Sequence, residues 1–183
     1  MELLNRIRLF FGGFILEQRL KRIKRHKKFN NLRNAHKIAI VWDGSNIPEF
    51  KAITDFYQEM QKRKIQVDVV CYYPKNVLPD EYTLIRYLTC IKQSDLNFLF
   101  FPQSDDIEEF INTPYEILID INNNNYFPVK YVTVLSRAQF KVGSESSTYS
   151  DKLDMTIKMT SKYDPAYYLQ QVIYYLEMIN TGA

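Results

Sequence analysis

Glycine is scarce in this chain, with five glycines among 183 residues. Nucleotide-binding loops need several closely spaced glycines, because only a residue without a Cβ atom lets the backbone approach a phosphate group. Gly44 stands alone after a predicted strand, and Gly143 follows another predicted strand without further glycines. The sequence therefore excludes a glycine-rich phosphate loop, and it argues against a β-sandwich rich in tight turns.

Cysteine and histidine are also rare, with two residues of each. Cys71 falls in a predicted strand and Cys90 in a predicted helix, and their spacing fits neither a disulfide framework nor a zinc site. We expect both cysteines to be buried free thiols. His26 and His36 lie in or beside a basic N-terminal segment, which excludes a histidine-based catalytic triad in the body of the protein.

The chain has no apolar run long enough to cross a membrane. Its most apolar stretch, residues 9–16 (LFFGGFIL), has eight residues, whereas a membrane-spanning helix needs about 20. Basic residues follow this stretch and no small-residue cleavage site is present, which is unlike a signal peptide. The sequence predicts a cytoplasmic protein without a transmembrane segment.

Positive charge is concentrated at the N-terminus. Residues 1–37 contain 11 Lys and Arg against 2 Asp and Glu, a net charge of +9, whereas the other 146 residues have a net charge of −6. Large apolar residues recur there at helical spacing: Leu3, Leu4, Ile7, Phe10, Phe11, Phe14 and Ile15, continued by Leu20 and Ile23. This pattern predicts a basic amphipathic helix in an arm of residues 1–36, ahead of an α/β domain at residues 37–183. Gly12 and Gly13 each weaken the helix by about 1 kcal/mol relative to alanine, so a break is expected there.

Residues 1–28 are the predicted contact surface of the arm. A helix with a Phe and Leu face and basic flanks can lie on an anionic membrane surface, and its charge also suits an acidic partner or the phosphates of RNA. The same pattern allows the apolar face to pack on the protein's own domain, or on a second copy of the chain in a homodimer. The sequence leaves these alternatives open.

Predicted strands and helices alternate along the rest of the chain. Continuous apolar runs predict buried strands at residues 37–42, 66–73, 96–101, 115–121 and 138–142, with an edge strand at 153–159. Apolar residues at helical spacing predict helices at residues 47–63, 79–93, 104–112, 127–137 and 165–180. This alternation predicts a Rossmann-like α/β fold, a mostly parallel sheet of about five or six strands with helices on both faces. The order of the strands stays open.

Polar residues follow three of the predicted strands, and the carboxyl ends of parallel strands are the usual binding edge of an open α/β sheet. Carboxylates gathered there would hold Mg²⁺ or Mn²⁺. The candidate catalytic acids are Asp43, Asp105 and Asp120, and Asp106 joins them as a candidate metal ligand. The candidate ligand-binding residues are Ser45, Asn46 and Asn122. The alternative is that Asp43 and Asp105 only cap turns and helices.

A bacterial family of unknown function resembles this chain over nearly its whole length. The matching stretches are KIAIVWDGSN (37–46), the block from LNFLFF to KVG (96–143), and the closing LDMTIKM (153–159) and YLQQVIYYLEMIN (168–180). Its members are similar in having a basic N-terminal helix ahead of a small α/β domain. The resemblance implies no activity, because the family has no established biochemistry, and Gly44 departs from the more variable residue expected in the first loop.

The stretch IAIVWDGSN (38–46) resembles the opening strand of the NYN branch of PIN-like ribonucleases, whose first catalytic acid lies in an Asp-Gly-x-Asn setting. This resemblance implies that Asp43 binds a metal ion and that Asn46 shapes the site. Ser104-Asp105-Asp106 is similar to a later acidic motif of that family. The helix-borne acid of the family has no clear counterpart, since the predicted helix at 79–93 has acids only at its very start.

Residues 115–143 resemble part of the N-terminal half of heptosyltransferase-type glycosyltransferases, where a strand ending in Ile-Asp precedes a helix and a second strand. Those enzymes need a second domain for the sugar nucleotide, and this chain has no room for it. A shared α/β supersecondary pattern explains this third resemblance.

The sequence leads to two functional hypotheses. The first is a non-catalytic binding or interaction protein, without a cofactor, whose N-terminal helix contacts a membrane surface or a partner. The alternative is a metal-dependent PIN/NYN-like ribonuclease that uses Asp43, Asp105 or Asp106, and Asp120 with Mg²⁺ or Mn²⁺.

Overall fold

The structure, a computed structural model, describes residues 2–159 and 164–179. Its strands are β1 (Lys37–Asp43), β2 (Gln66–Tyr73), β3 (Leu88–Lys92), β4 (Ile117–Ile121), β5 (Phe140–Ser144) and β6 (Met155–Ile157). Its helices are α1 (Glu2–Leu20), α2 (Phe50–Lys62), α3 (Asp80–Thr83), α4 (Asp105–Asn112), α5 (Phe127–Leu135) and α6 (Pro165–Met178). The predicted helix at 165–180 is α6, and its predicted last residue lies outside the described residues.

The six strands form one sheet in the order β3-β2-β1-β4-β5-β6, and every pairing is parallel. This arrangement confirms the predicted Rossmann-like α/β fold. The chain builds outward from β1 to β3 and then returns to place β4 on the other side of β1. The strand order therefore reverses between β1 and β4.

Both faces of the sheet are covered by helices. Ile38, Ile40 and Trp42 of β1 belong to a core that includes side chains of α2 and α6. Ala39 and Val41 belong to a second core, which includes side chains of α1, α4 and α5. Because successive residues of a strand point to opposite faces, a strand buried on both sides has an unbroken apolar sequence. This is the reason that β1 was predictable from its sequence.

The region before α4 differs from the prediction. The predicted helix at residues 79–93 contains only the four-residue α3, and β3 follows it as the edge strand of the sheet. Cys90 therefore lies in a strand and not in a helix. The apolar residues of this short segment are compatible with either a helix or a strand, and the pairing of β3 with β2 selects the strand.

The predicted strand at residues 96–101 is a tight loop, which we call the aromatic loop. The Asn97 side-chain oxygen accepts the backbone N–H groups of Leu99 and Phe101, at 2.9 and 3.0 Å. Phe100 has a positive φ of 63°, which lies far from the extended backbone of a strand. The strand prediction is wrong here because a turn made by one asparagine side chain leaves the hydrophobic pattern unchanged.

Helix α1 packs closely against the start of α5 and the aromatic loop. Gly12 and Leu16 are its buried residues. A Cβ atom at Gly12 would lie 2.9 Å from the carbonyl oxygen of Leu99 and 3.3 Å from the ring of Phe127. The helix continues through Gly12 and Gly13 without the expected break. Tertiary packing, which the absence of a Cβ atom at Gly12 permits, outweighs the low helix propensity of glycine.

Candidate functional site

The carboxyl ends of β1 and β4 lie side by side where the strand order reverses. In open parallel sheets this point forms a crevice that receives ligands. Two loops border it here, residues 44–46 after β1 and residues 122–126 after β4. Val41 pairs with Asp120, so Asp43 lies two residues further along the same face of the sheet.

Asp43 joins these two loops. The residue is 2% exposed, and its Oδ1 accepts the backbone N–H of Ser45 at 3.1 Å. Its Oδ2 accepts the backbone N–H of Asn124 at 3.1 Å and the side-chain amide of Asn124 at 2.6 Å. The Asn124 amide also donates to the Ser45 hydroxyl at 3.1 Å. Asn124 was not among the predicted residues, because nothing in a run of four asparagines indicates which one reaches Asp43.

Asp120 lies beneath the crevice in a buried polar network. Its Oδ2 accepts hydrogen bonds from the hydroxyl groups of Thr133 and Tyr149, and its Oδ1 accepts the backbone N–H of Asn122 at 3.3 Å. Burial raises the pKa of Asp120 to about 6, although the bonds from Thr133 and Tyr149 oppose this rise. The network satisfies the hydrogen-bonding capacity of a carboxylate that is almost wholly buried. Thr133 and Tyr149 were not predicted, since they come from a helix and a distant loop.

The predicted ligand-binding amides also have partners within the protein. Asn122 Oδ1 accepts the backbone N–H of Tyr126 at 2.8 Å, and its amide donates to the Tyr126 carbonyl and the Tyr149 hydroxyl. Asn46 donates to the Glu49 carboxylate at 3.0 Å. Burial raises the pKa of Glu49, and the bond from Asn46 acts against that rise. These amides therefore hold the two loops in shape.

Asp105 and Asp106 lie in the exposed first turn of α4. Asp106 lines a cavity of about 190 Å³ together with Lys37, the first residue of β1. A strand rises about 3.3 Å per residue, so Lys37 and Asp43 are about 20 Å apart along β1. The structure thus brings Asp43 and Asp120 to one edge of the sheet and places Asp106 toward the other. Within residues 2–159 and 164–179, no three His, Cys, Asp or Glu side chains are grouped so as to hold a metal ion.

One side of α1 carries an exposed stripe of large apolar side chains, which we call the apolar stripe. Its members are Leu3, Leu4, Ile7, Phe10, Phe11 and Phe14, and between 45% and 73% of each residue is exposed. At 100° per residue, these positions fall within about 120° of the helix circumference. The buried residues Gly12 and Leu16 lie on the opposite side, so the stripe points away from the body. Among the described residues no helix, α1 included, is long and apolar enough to cross a bilayer.

Arginines and the aromatic loop border the apolar stripe. Arg6 and Arg8 lie about 40° beyond its two edges, at 100° per residue. Arg8 donates to the carbonyl oxygen of Phe98, and its guanidinium group lies 4.8 Å from the ring centroid of Phe98 and 4.0 Å from that of Phe100. Phe98 is 64% exposed. The aromatic loop therefore adds a further exposed ring beside the stripe.

A basic segment follows the end of α1. Lys21, Arg22 and Lys24 are exposed there, whereas Arg25 turns inward and pairs with Asp154 at 2.5 Å. The arm thus presents positive charge to solvent at both ends of its helix, while ion pairs such as Arg25 with Asp154 and Lys152 with Glu17 tie it to the body.

The chain was compared with protein-family models. The model of a family of unknown function, DUF6913, matches residues 8–179. The chain belongs to this family. The match confirms the resemblance found in the sequence, and DUF6913 has no activity in its description. A comparison with curated proteins finds no match.

In this member of DUF6913 the two cysteines lie side by side. Cys71 and Cys90 are paired residues of β2 and β3, and their Sγ atoms are 2.9 Å apart. Burial raises the pKa of the buried Cys71 thiol, whereas the hydrogen bond from Cys71 lowers the pKa of the half-buried Cys90. This pair was not predictable, because the spacing of the two residues in the chain says nothing about which strands are neighbours.

Proposed function

We propose that this protein is a non-catalytic peripheral protein that binds the anionic cytoplasmic surface of a membrane through the apolar stripe of α1. The observation that supports this proposal is the exposure of six large apolar side chains on one side of the helix. Contiguous exposed apolar surface of this kind marks an interaction site. A helix with such a stripe and basic flanks is amphipathic in the way that interfacial helices are.

The apolar stripe has the dimensions of an interfacial helix. Residues 3–14 extend over about 16 Å at 1.5 Å per residue, and interfacial helices bury their apolar face about 5–10 Å deep. Complete burial of a large apolar side chain contributes about 1.5–3 kcal/mol. Because the stripe residues are about half to three-quarters exposed, each has about 1–2 kcal/mol still to gain.

Charge favours an anionic lipid surface over a second copy of the chain. Two copies joined through their stripes would each contribute Arg6 and Arg8 to the interface, and like charges repel. An anionic bilayer instead attracts Arg6, Lys21, Arg22 and Lys24, by about 1 kcal/mol for each basic residue near its surface. The remaining residues, with a net charge of −6, would be repelled by the same surface and would orient the body toward the cytoplasm.

Vesicle co-sedimentation of the full chain tests the proposal. We expect binding to vesicles that contain phosphatidylserine, little binding to pure phosphatidylcholine, and weaker binding as salt is raised. Replacement of Lys21 and Arg22 by glutamine should weaken phosphatidylserine binding by up to about 2 kcal/mol, or about 30-fold. The matched control makes the same replacement at Lys62 and Lys64, which are exposed at the end of α2. Equal binding to both lipids, or an equal loss in the control, would contradict the proposal.

A metal-dependent PIN/NYN-like ribonuclease is the alternative. Its support is the position of Asp43 and Asp120 at the carboxyl edge of the sheet, where the strand order reverses. A Mg²⁺ or Mn²⁺ ion at Asp43 would have to displace the hydrogen bonds that Ser45 and Asn124 donate to it. RNA cleavage with Mn²⁺, measured for the wild type and for Asp43→Asn, discriminates between the two functions. We expect no cleavage by either protein, and cleavage that only the wild type performs would support the ribonuclease.

A further inference from the structure

A cavity of about 270 Å³ lies between the C-terminal end of α5 and the basic segment after α1. Among the described residues, four basic side chains line it, namely Arg25, Lys27, Lys141 and Lys152, and one acidic side chain, Asp151. The charged lining therefore has a net charge of +3 when every group is ionised, in a body whose net charge is negative. An excess of positive charge around a cavity favours an anionic ligand.

Lys141 is buried in the wall of this cavity. The residue is 3% exposed, and its ammonium group donates one hydrogen bond, to the carbonyl oxygen of Val134 at 2.8 Å. An ammonium group has three N–H donors, and burying it is costly unless its charge and its donors are satisfied. Burial, assisted by the nearby charge of Arg25, lowers the pKa of Lys141 to about 7. The described residues thus leave Lys141 short of acceptors at the edge of an open cavity.

One acidic residue beside the cavity already has its partners. Asp154 pairs with Arg25 at 2.5 Å and with Lys27 at 3.1 Å, and it accepts the backbone N–H of Lys141 at 2.9 Å. Burial alone would raise the pKa of Asp154, but these partners lower it. Asp154 is therefore a fixed anion that holds the basic segment in place, and two cations share its single charge.

Three further acidic residues lie near the cavity, with Asp151 and Glu17 at its mouth and Asp120 behind its wall. Lys152 is 3.2 Å from Asp151 and 3.5 Å from Glu17 of α1. Asp120 of β4 acts on Lys141 through space and favours its charged form. The side-chain hydrogen bonds to the Asp120 carboxylate come from Thr133 and Tyr149. The N–H donors of Lys141 that do not bond to Val134 are therefore available to a ligand in the cavity.

We propose that this cavity binds the phosphate group of a small phosphate monoester, with Lys141 donating to it from the wall and Lys27 and Lys152 from the mouth. A phosphate monoester carries close to two negative charges and several acceptor oxygens, whereas a carboxylate carries one charge and two oxygens. The phosphate ester therefore matches a lining of net charge +3 better. The volume is close to the lower end of ligand pockets, about 300–1,000 Å³. Leu20 and Ile23 also line the cavity and provide an apolar surface for the organic part of the ligand.

This site contains no residue of the apolar stripe. Leu20 lies about 9 Å along α1 from Phe14, the nearest member of the stripe, at 1.5 Å per residue, and Lys141 and Lys152 are not part of α1. Variants of the cavity therefore leave the stripe intact, and the membrane proposal and the phosphate proposal can fail separately.

Calorimetric titration of the full chain with inorganic phosphate at low ionic strength tests the proposal. Lys141→Met, which keeps the unbranched apolar stem of the side chain and removes the ammonium group, should weaken binding at least about tenfold, since charge-assisted hydrogen bonds are lost. Lys152→Gln should weaken binding about threefold, because this lysine is partly exposed and already shared with two acids. Lys158→Gln is the control, as its side chain is 75% exposed and lies outside the cavity lining.

Proton uptake provides a readout that general charge attraction would not produce. Sulfate serves as the probe, because it keeps both charges near neutral pH. At about pH 8 a lysine with a pKa of about 7 is about nine-tenths neutral, and a bound dianion favours its protonated form. Sulfate binding should therefore take up nearly one proton in the wild type and none in Lys141→Met. The dependence of the binding enthalpy on the ionisation enthalpy of the buffer measures this number.

Dihexanoyl phosphatidic acid, below its micelle concentration, distinguishes the two sources of a phosphate ester. Tighter binding of this lipid than of inorganic phosphate assigns the cavity to a lipid headgroup, and equal binding assigns it to a soluble phosphate ester. The proposal is overturned if neither compound binds in the millimolar range, if Lys141→Met binds as tightly as the wild type, or if sulfate binds without proton uptake.

Discussion

Replacement of Phe10 and Phe14 by serine tests the apolar stripe directly. Serine and phenylalanine have similar helix propensities, so α1 should keep its structure. Transfer of a phenylalanine side chain from water to an apolar phase gains up to about 3 kcal/mol. Phe10 is 73% and Phe14 is 60% exposed, which leaves about 2 kcal/mol for each to gain. Partial immersion in the membrane interface halves this value, so the double variant should lose about 2 kcal/mol, or about 30-fold in the partition coefficient.

The assay is co-sedimentation with phosphatidylserine vesicles over a range of lipid concentrations. The matched control replaces Val77 and Leu84 by serine, because these residues are 81% and 89% exposed but lie far along the chain from α1. Both double variants remove two exposed apolar side chains, and only the first should lose affinity. If the Phe10 and Phe14 variant pellets with the vesicles as the wild type does, the stripe is not the membrane-binding surface.

Three further predictions concern stability and thiol chemistry. Gly13→Ala should raise the free energy of unfolding by about 1 kcal/mol, since alanine favours the helix and nothing lies within 4 Å of the new Cβ atom. Gly12→Ala should lower the free energy of unfolding, because its Cβ atom would lie 2.9 Å from a backbone carbonyl oxygen. Urea denaturation of the two variants measures both changes, and equal changes would refute the packing argument. The pKa of Asp120 is about 6 in the folded state, above its ordinary value of 3.8. Between these two pH values the native state binds more protons than the unfolded chain, so the native state loses stability as pH rises through this window. The free energy of unfolding of Asp120→Asn relative to wild type should therefore rise by about 2.5 kcal/mol between about pH 4 and pH 7, and a constant difference would contradict the assigned pKa. A thiol oxidant such as diamide should join Cys71 and Cys90 in a disulfide, with Cys90 reacting first because it is half-buried and its pKa is lowered; peptide mapping after alkylation would detect the bond, and two alkylated thiols would refute it.

The fold was largely predictable because its signals are local. The run KIAIVW is almost wholly apolar after its first residue, and a strand covered on both faces accepts such a sequence. The spacing of Leu3, Ile7 and Phe14 likewise predicts a helix with one apolar side from the periodicity of the residues alone. Local signals failed in the aromatic loop, where the side chain of Asn97 turns a segment whose hydrophobicity matches that of a strand.

The candidate sites were predictable only in part. Asp43 and Asp120 could be assigned to strand ends, since each follows an apolar run. That Asp106 lies toward the opposite edge could not be foreseen, because this depends on the strand that precedes α4 being β3 and not residues 96–101. The membrane hypothesis was also open in the sequence, because periodicity shows that α1 has an apolar side but not whether the body covers it.

By itself, the amino-acid sequence determined the alternation of strands and helices, the basic arm and the periodic apolar side of α1. Each of these is a property of residues close together in the chain. Only the tertiary structure decided that Asn124 bonds to Asp43, that Cys71 lies against Cys90, and that Lys141 borders a basic cavity. The physical reason is that such contacts depend on the strand order and on how the helices cover the sheet, and these follow from the burial of the whole chain and not from any one segment.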